Sequence, residues 1–325
     1  MHIVKFLVLC GGTLLLWTFV TAAELTPQQK EATENGIVLF NQYRLAESEL
    51  TIGASAGDSE AQFYLAEVIR KKNHYINEDS FKWYEASAKQ ENIYAMIRLA
   101  RINNDLCALI KSCPKAERTP SEWLKDATTL AKNRARKGDR EAMYLMYHLS
   151  GDREWLKQSA EQGYGRAAYL MGIGDRQGEG FFLLPGQRES SVKRWMKISA
   201  EAGYPDGIMS YAAILAQHGD MESYVKLSVK AAEAGDAHAV FNLACDFAHE
   251  SNETETPLDL VKAYGLMSLV AELDGGGGMQ ELVAEIYPKI KAKMSEQQIS
   301  QGKAFASEWR RTHPPLSFFP DKLDG

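Results

Sequence analysis

Small apolar residues recur along the chain at fixed distances from a glycine, and residues 231–244 show the pattern most clearly. With Gly235 as origin, an alanine stands three residues before it, another stands four after it, and Leu243 stands eight after it. These are helical spacings on both sides of a residue that suits the left-handed position past a helix end, and Asp236 can cap the next helix. The pattern predicts a helical hairpin whose alanines allow a close crossing.

The same frame occurs six times, with origins at Gly57, Glu91, Gly138, Gly163, Gly203 and Gly235. Position −3 is alanine in every copy, and position +4 is alanine except at Gly207. Position +8 is large in every copy, at Leu65, Leu99, Met146, Met171, Tyr211 and Leu243. At position −8, where we expect the first helix to need a large residue, the copies carry Glu49, Trp83, Leu130, Trp155, Trp195 and Leu227. This repetition predicts an all-α solenoid of stacked hairpins.

Outside the frame, we expect an N-terminal capping helix within 24–50, six repeats over 51–249, a degenerate repeat with a closing helix over 258–311, and a tail over 312–325. In the degenerate repeat, a partner helix is predicted from Met279 to near Pro288. Prolines predict an extended tail. Its apolar residues Leu316, Phe318 and Phe319 either fold back on the closing helix or wait for a partner.

Segments 159–172, SAEQGYGRAAYLMG, and 230–244, KAAEAGDAHAVFNLA, resemble the SEL-one-like repeat (SLR) family, which is related to the tetratricopeptide repeat. The resemblance covers roughly residues 50–311. It implies a right-handed superhelix of about six to seven αα-hairpins with capping helices at both ends. The chain departs from the family at Glu91, at Gly207, and in its spacing, since the origins lie 34, 47, 25, 40 and 32 residues apart. Unequal spacing implies loops of unequal length.

Composition places the chain among ordinary globular proteins, with 325 residues, 45% hydrophobic and 25% charged. Its net charge of −6 gives no reason to expect binding to nucleic acid. Residues 1–23 combine Lys5, an apolar run and the pair Ala22-Ala23, which indicates a cleaved secretory signal; a retained anchor is the alternative. Export from a bacterial cell predicts a periplasmic mature chain, 24–325, with no stable membrane insertion after cleavage.

Cys107 and Cys113 are the only close pair among the cysteines that remain after signal cleavage. An oxidising compartment favours a disulfide between them, and two free buried thiols are the alternative. Cys245 follows the Leu-Ala of a repeat helix and is predicted to be a small core residue.

Motifs for catalysis are weak in this sequence. It contains no H-E-x-x-H, G-x-S-x-G, C-x-x-C or P-loop pattern. S-x-x-K occurs at Ser112–Lys115 and at Ser190–Lys193, but without the S-D-N or K-T-G partners that give this motif its meaning. Seven histidines are scattered. We therefore predict no catalytic residues, no metal site, no cofactor and no enzymatic activity.

Protein recognition is the default activity of a solenoid, because stacked repeats expose long continuous surfaces. Two features are candidate contacts with a partner. The first is a cluster of large apolar residues in a glycine-rich connection, for which burial against the repeats is the alternative: Phe181, Phe182, Leu183 and Leu184. The second is a basic stripe at position −6, for which an ordinary solvated face is the alternative: Lys132, Lys157 and Lys197.

The resemblance also implies a particular function. Small exported proteins with this repeat are known as bacterial immunity proteins, which neutralise phospholipase effectors of type VI secretion. We therefore expect the chain to bind such an effector and to obstruct its active-site entrance or its access to membranes. The alternatives are an adaptor for envelope or secretion machinery and an envelope enzyme directed at peptidoglycan.

Overall fold

The computed structural model describes residues 24–250, 256–273 and 278–323, and the predicted signal at 1–23 lies outside them. The described chain is helical apart from turns, irregular links and one isolated bridge. In chain order the helices are α1 (Pro27–Asn41), α2 (Glu47–Ser55), α3 (Ser59–Asn73), α4 (Glu78–Ala88), α5 (Ile93–Ala100), a 3₁₀ turn (Ile102–Asn104), α6 (Leu106–Leu109), α7 (Pro120–Ala135), α8 (Arg140–Ser150), α9 (Arg153–Glu161), α10 (Gly165–Gln177), α11 (Gln187–Glu201), α12 (Pro205–Gln217), α13 (Met221–Glu233), α14 (Ala237–Ala248), α15 (Leu260–Val270), α16 (Gly278–Ala292) and α17 (Glu296–Thr312).

Neighbouring helices pair as the frame predicts. The six hairpins are α2 with α3, α4 with α5, α7 with α8, α9 with α10, α11 with α12, and α13 with α14. The second helix of each hairpin packs against the first helix of the next, including α14 against α15. The prediction of an all-α hairpin solenoid is confirmed.

The six frame origins all adopt the left-handed backbone conformation, with φ between 64° and 96°. Glu91 does so at φ 64° without being glycine, so its side chain is tolerated at a position where glycine is favoured. The alanines at −3 and +4 are at most 3% exposed, as expected for the helix crossing. At Gly207 a Cβ would stand 1.9 Å from the Ser199 hydroxyl, and this explains the one departure from alanine.

The large residues at position −8 pack against the core as expected, and position −7 beside them is buried more uniformly. Position −7 is at most 4% exposed in every copy, whereas at −8 Trp195 is 3% exposed but Trp83 and Trp155 are only partly buried. Residues four apart share a helix face, so −7 lies in line with the core alanine at −3, and −8 lies at the edge of that face. The residues at −7 are Leu50, Tyr84, Ala131, Leu156, Met196 and Ser228.

The opening segment is two helices, and the predicted single helix over 24–50 is wrong at its C-terminal part. Helix α1 begins with a capping box formed by Thr26 and Gln29, and it ends at Asn41. Tyr43 then takes the left-handed conformation at φ 56°, which turns the chain into α2. The break is needed because α2 is the first helix of repeat one, with Leu50 wholly buried.

The degenerate repeat also differs from the prediction. Helix α16 continues through Pro288 to Ala292, because Val283 and Ile290 are buried on either side of the proline and hold the helix in place. Helix α15 forms its close crossing with α17, where a Cβ on Gly265 would stand 2.8 Å from the Gly302 carbonyl. The last closely packed helix pair is therefore α15 with α17, and α16 lies between them in the chain.

The insertion between repeats two and three contains the predicted disulfide, Cys107–Cys113. Cys107 is fully buried, and Asp105 caps the short helix α6 through the Cys107 N–H. Cys245 is a buried free cysteine, as expected.

Candidate protein-binding site

The connection between α10 and α11 is held in one shape by a network of charged and polar groups. Asp175, which is 2% exposed, accepts hydrogen bonds from Arg153 Nη2 at 2.7 Å and from Ser191 Oγ at 2.5 Å. Arg188 Nη1 donates to the main-chain carbonyls of Asp175 at 2.6 Å and Glu179 at 2.9 Å. Arg153 also pairs with the Glu179 carboxylate at 3.3 Å. These bonds fix both ends of residues 178–186, which we call the apolar loop.

The apolar loop presents three large side chains to solvent. Phe181 is 86% exposed, Leu183 is 77% exposed and Leu184 is 64% exposed. Phe182 is half-buried under the Arg188 guanidinium, 4.8 Å from the ring centre. The Leu183 and Leu184 N–H groups both donate to the side-chain oxygen of Gln187 at 3.1 Å. The apolar side chains are thus exposed on a backbone that is already ordered.

A cleft of about 870 Å³ adjoins this loop, between the ends of α10, α11 and α12. Its lining includes the apolar residues Val192, Met209 and Ile214. The Arg, Lys, Asp and Glu side chains of the lining are three cations and one carboxylate, which makes the cleft locally basic in an acidic protein: Arg176, Arg188, Lys193 and Glu189. Ser190 and Lys193 of one S-x-x-K motif line this cleft.

The three predicted stripe lysines lie on the first helices of repeats three, four and five. Lys132 is exposed on α7. Lys157 pairs with Glu154 at 3.7 Å and Lys197 pairs with Glu201 at 3.8 Å, each within its own helix. Because these carboxylates offset two of the three charges, the stripe is weaker than its residue types imply. Its role in binding stays a prediction.

The tail crosses the second helices of the repeats, which sequence reasoning did not foresee. Ser317 N–H donates to the Gly235 carbonyl at 2.8 Å, and Lys322 Nζ pairs with Glu60 at 3.4 Å. The main chain from Ser317 to Lys322 is five residue steps long and spans at most roughly 18 Å. The tail therefore bridges repeat six and repeat one over a short distance, so the superhelix is strongly curved and its second helices line the inner side.

Asp321 is the anchor of the tail. Its carboxylate accepts from Arg166 Nη1 at 2.8 Å and from the Tyr144 hydroxyl at 2.5 Å. Arg166 Nη2 donates to the carbonyls of Phe319 at 2.8 Å and Pro320 at 3.2 Å. Burial by itself would raise the pKa of Asp321, but Arg166, the tyrosine and a main-chain N–H together hold that pKa below its ordinary value. One arginine thus recognises both the backbone and the acidic side chain.

Aromatic rings line the rest of the path. Phe318 stacks on Tyr43, with ring centres 5.2 Å apart, and meets the edge of His238 at 5.4 Å. Lys322 Nζ lies 4.9 Å from the ring centre of Tyr94. We call the surface that holds the tail the tail groove, and its main contact residues are Tyr64, Tyr94, Arg98, Tyr144 and Arg166.

A signal for this groove was present in the repeat frame. Position +3 stands directly before the core alanine at +4. In five copies it carries a polar or aromatic residue that lines the tail groove or contacts the tail: Glu60, Tyr94, Glu141, Arg166 and His238. Neighbouring helix positions are about 100° apart, so +3 lies at the edge of the buried face. The frame therefore locates the lining, although it does not predict what lies against it.

Other chemistry is sparse in the described residues. No group of three histidine, cysteine or acidic side chains among them is placed to hold a metal ion. No helix in the part that the structure describes is both long and apolar enough to cross a bilayer. Ser112 and Lys115 lie in the irregular segment beside the disulfide.

The hairpins and their stacking define the class of this molecule as a helical-hairpin solenoid. No protein-family model matches the chain, and no curated protein matches it significantly. Sixteen chains of solved structures do match.

Two of these structures are described as SLR or Sel1-repeat proteins. One is a protective antigen present in uropathogenic Escherichia coli strains and displaying an SLR fold, with 18% identity and a TM-score of 0.47 over 88% of this chain. This chain spans 62% of the length of that protein. The other is a Sel1 repeat protein from Oxalobacter formigenes, with 16% identity, a TM-score of 0.42, and coverage of 87% of this chain and 88% of that one. The helices of this chain and their pairing define its fold.

Proposed function

We propose that the protein is a periplasmic solenoid that binds another protein, and that its partner is a secreted phospholipase effector which it neutralises. The observation that supports protein binding is the apolar loop. Large apolar side chains that are exposed on an ordered backbone favour docking, because burying them on a partner releases water at little cost in loop entropy.

The cleft beside the loop supports a partner with an acidic, partly apolar face. The apolar and basic side chains of its lining complement such a face, whereas the protein as a whole repels anions through its net charge of −6. The phospholipase itself comes from the SLR resemblance of the sequence. Docking beside its active-site entrance or on its membrane-binding face would prevent it from reaching lipid.

The test uses the purified mature chain and the phospholipase effector of the same bacterium. We expect a one-to-one complex and loss of phospholipid hydrolysis in vesicles when the chain is added. Phe181→Ser combined with Leu183→Ser is expected to weaken the complex by about tenfold or more, as for a residue pair central to an interface. Helix content should be unchanged, because both side chains are exposed.

A matched control is Leu109→Ser, because Leu109 is 79% exposed and Leu183 is 77% exposed. This control is expected to bind like the unaltered chain. The proposal of protein docking fails if the loop variant and the control bind alike. The immunity role fails if the chain leaves the phospholipase active. Turnover of peptidoglycan by the chain alone, lost in Ser190→Ala, would instead identify an enzyme.

A further inference from the structure

The tail groove holds residues 316–323 by contacts that a separate peptide could make equally well. The Gln42 side chain donates to the Leu316 carbonyl at 2.9 Å, and the Phe318 N–H donates to the Asn41 carbonyl at 3.0 Å. Arg98 Nη2 donates to the carbonyl of residue 322 at 3.2 Å. These bonds recognise an extended main chain, and the side-chain requirement is concentrated at the carboxylate that Arg166 and Tyr144 hold.

Arg98 in the groove is held by a residue of the repeats as well as by the tail. Its guanidinium pairs with the buried carboxylate of Glu67 at 2.6 and 3.1 Å. Glu67 is 1% exposed and also accepts from the Tyr84 hydroxyl at 2.7 Å and from Arg70 at 3.1 Å. Arg98, one of the donors that bind the tail, is therefore positioned by contacts within the repeats themselves.

The tail does not fill the groove. A cavity of about 180 Å³ remains beside residues 319–322, lined by the rings of Tyr64, Tyr94, Tyr144 and Tyr164. Residues 313–323 belong to no helix, so replacing the tail requires no helix to unfold.

We propose that the tail groove is a recognition site for an extended acidic peptide segment of a partner protein, and that the chain's own tail occupies the groove until such a segment displaces it. The segment matches the tail in having an aromatic residue, then a proline, then an acidic residue opposite Arg166. A larger side chain near this proline would fill the tyrosine-lined cavity. The inference concerns a different surface from the apolar loop and is independent of it.

The test measures binding of a fluorescent peptide with the sequence of residues 314–323 to the full mature chain. In Asp321→Lys, the chain's own tail carries a cation opposite Arg166 and should leave the groove. We expect the peptide to bind this variant at least about tenfold more tightly than the unaltered chain, in which the tail competes at high effective concentration. Adding Arg166→Met should abolish that gain, and so should a lysine in place of the aspartate in the peptide.

Far-UV circular dichroism checks that the variants stay folded, and Asp321→Asn replaces Asp321→Lys if the latter loses helix content. Hydrogen exchange at the amides of residues 317 and 318 reports whether the tail has left. A folded variant with a released tail that binds neither peptide, or binds both equally, overturns the proposal. Equally fast exchange of these amides in the unaltered chain and in the variant would show that the tail does not occupy the groove, and would also overturn it.

Discussion

Glu67 is the residue whose neutralisation tests the internal support of the tail groove most directly. Its carboxylate is 1% exposed and pairs with Arg70 and Arg98, whose side chains are 8% and 11% exposed. Glu67→Gln keeps the shape and an acceptor for the Tyr84 hydroxyl but leaves two guanidinium charges without their carboxylate. Removing one partner of a buried ion pair costs about 3–5 kcal/mol. Because the amide oxygen still accepts hydrogen bonds, we expect the lower end, about 3 kcal/mol, or roughly a hundredfold in the folding equilibrium.

The assay is urea unfolding followed by far-UV circular dichroism and by tryptophan fluorescence, since solenoids can unfold in more than one step. Glu60→Gln is the matched control, because its ion pair with Lys322 joins side chains that are 54% and 31% exposed, and such pairs contribute at most about 1 kcal/mol. A loss below about 1 kcal/mol for Glu67→Gln would refute the view that this network is a desolvated support.

Three further predictions follow from the tail and the insertion. Gly235→Ala is expected to loosen the tail more than Gly57→Ala. Both glycines have positive φ, but only at Gly235 would a Cβ meet a tail carbonyl, at 2.9 Å. Hydrogen exchange of the tail amides measures the loosening. The pKa of Asp321 is lowered in the folded protein, so the contribution of its carboxylate to tail docking is complete above the ordinary value of 3.8. This contribution is lost as the pH falls through the lowered pKa, and hydrogen exchange of the tail amides measured as a function of pH will show the loss. Reducing Cys107–Cys113 should lower the free energy of unfolding by about 2 kcal/mol in urea titrations with and without reductant.

Each of these has an outcome that contradicts it. Equal tail exchange in the two glycine variants would mean that the carbonyl contact at Gly235 is unimportant. An acid response that persists unchanged in Asp321→Asn would assign it to another group. A reductant effect that remains in Cys107→Ser would show that the disulfide is not its cause.

The hairpins were predictable because their causes are local. A left-handed turn residue, alanines at −3 and +4 and a large residue at +8 all act within about twenty residues, and helical periodicity relates them. The same argument missed the buried position −7, because tryptophan at −8 stood out by size while −7 carries residues as different as Tyr84 and Ala131. Burial at −7 depends on the common helix face, which the residue types alone do not show.

The ends of two helices, α1 and α16, were harder to predict. Tyr43 ends α1 in a left-handed conformation that its residue type does not favour, and Pro288 lies inside α16 because packing at Val283 and Ile290 outweighs its lost hydrogen bond. The prediction of an exposed apolar segment at Phe181 came from composition. Its ordering by the buried carboxylate of Asp175 was visible only in the structure.

The amino-acid pattern therefore accounts for the class of fold, the register of the repeats, the cysteine pair and the apolar loop, since each depends on residues close together in the chain. Tertiary structure decided where the tail goes. The curvature of a solenoid is the sum of small rotations between successive repeats, and unequal loops alter each one. Only that sum brings Gly235, Arg166 and Glu60 within reach of one extended segment, and turns scattered polar positions beside the core alanines into a groove.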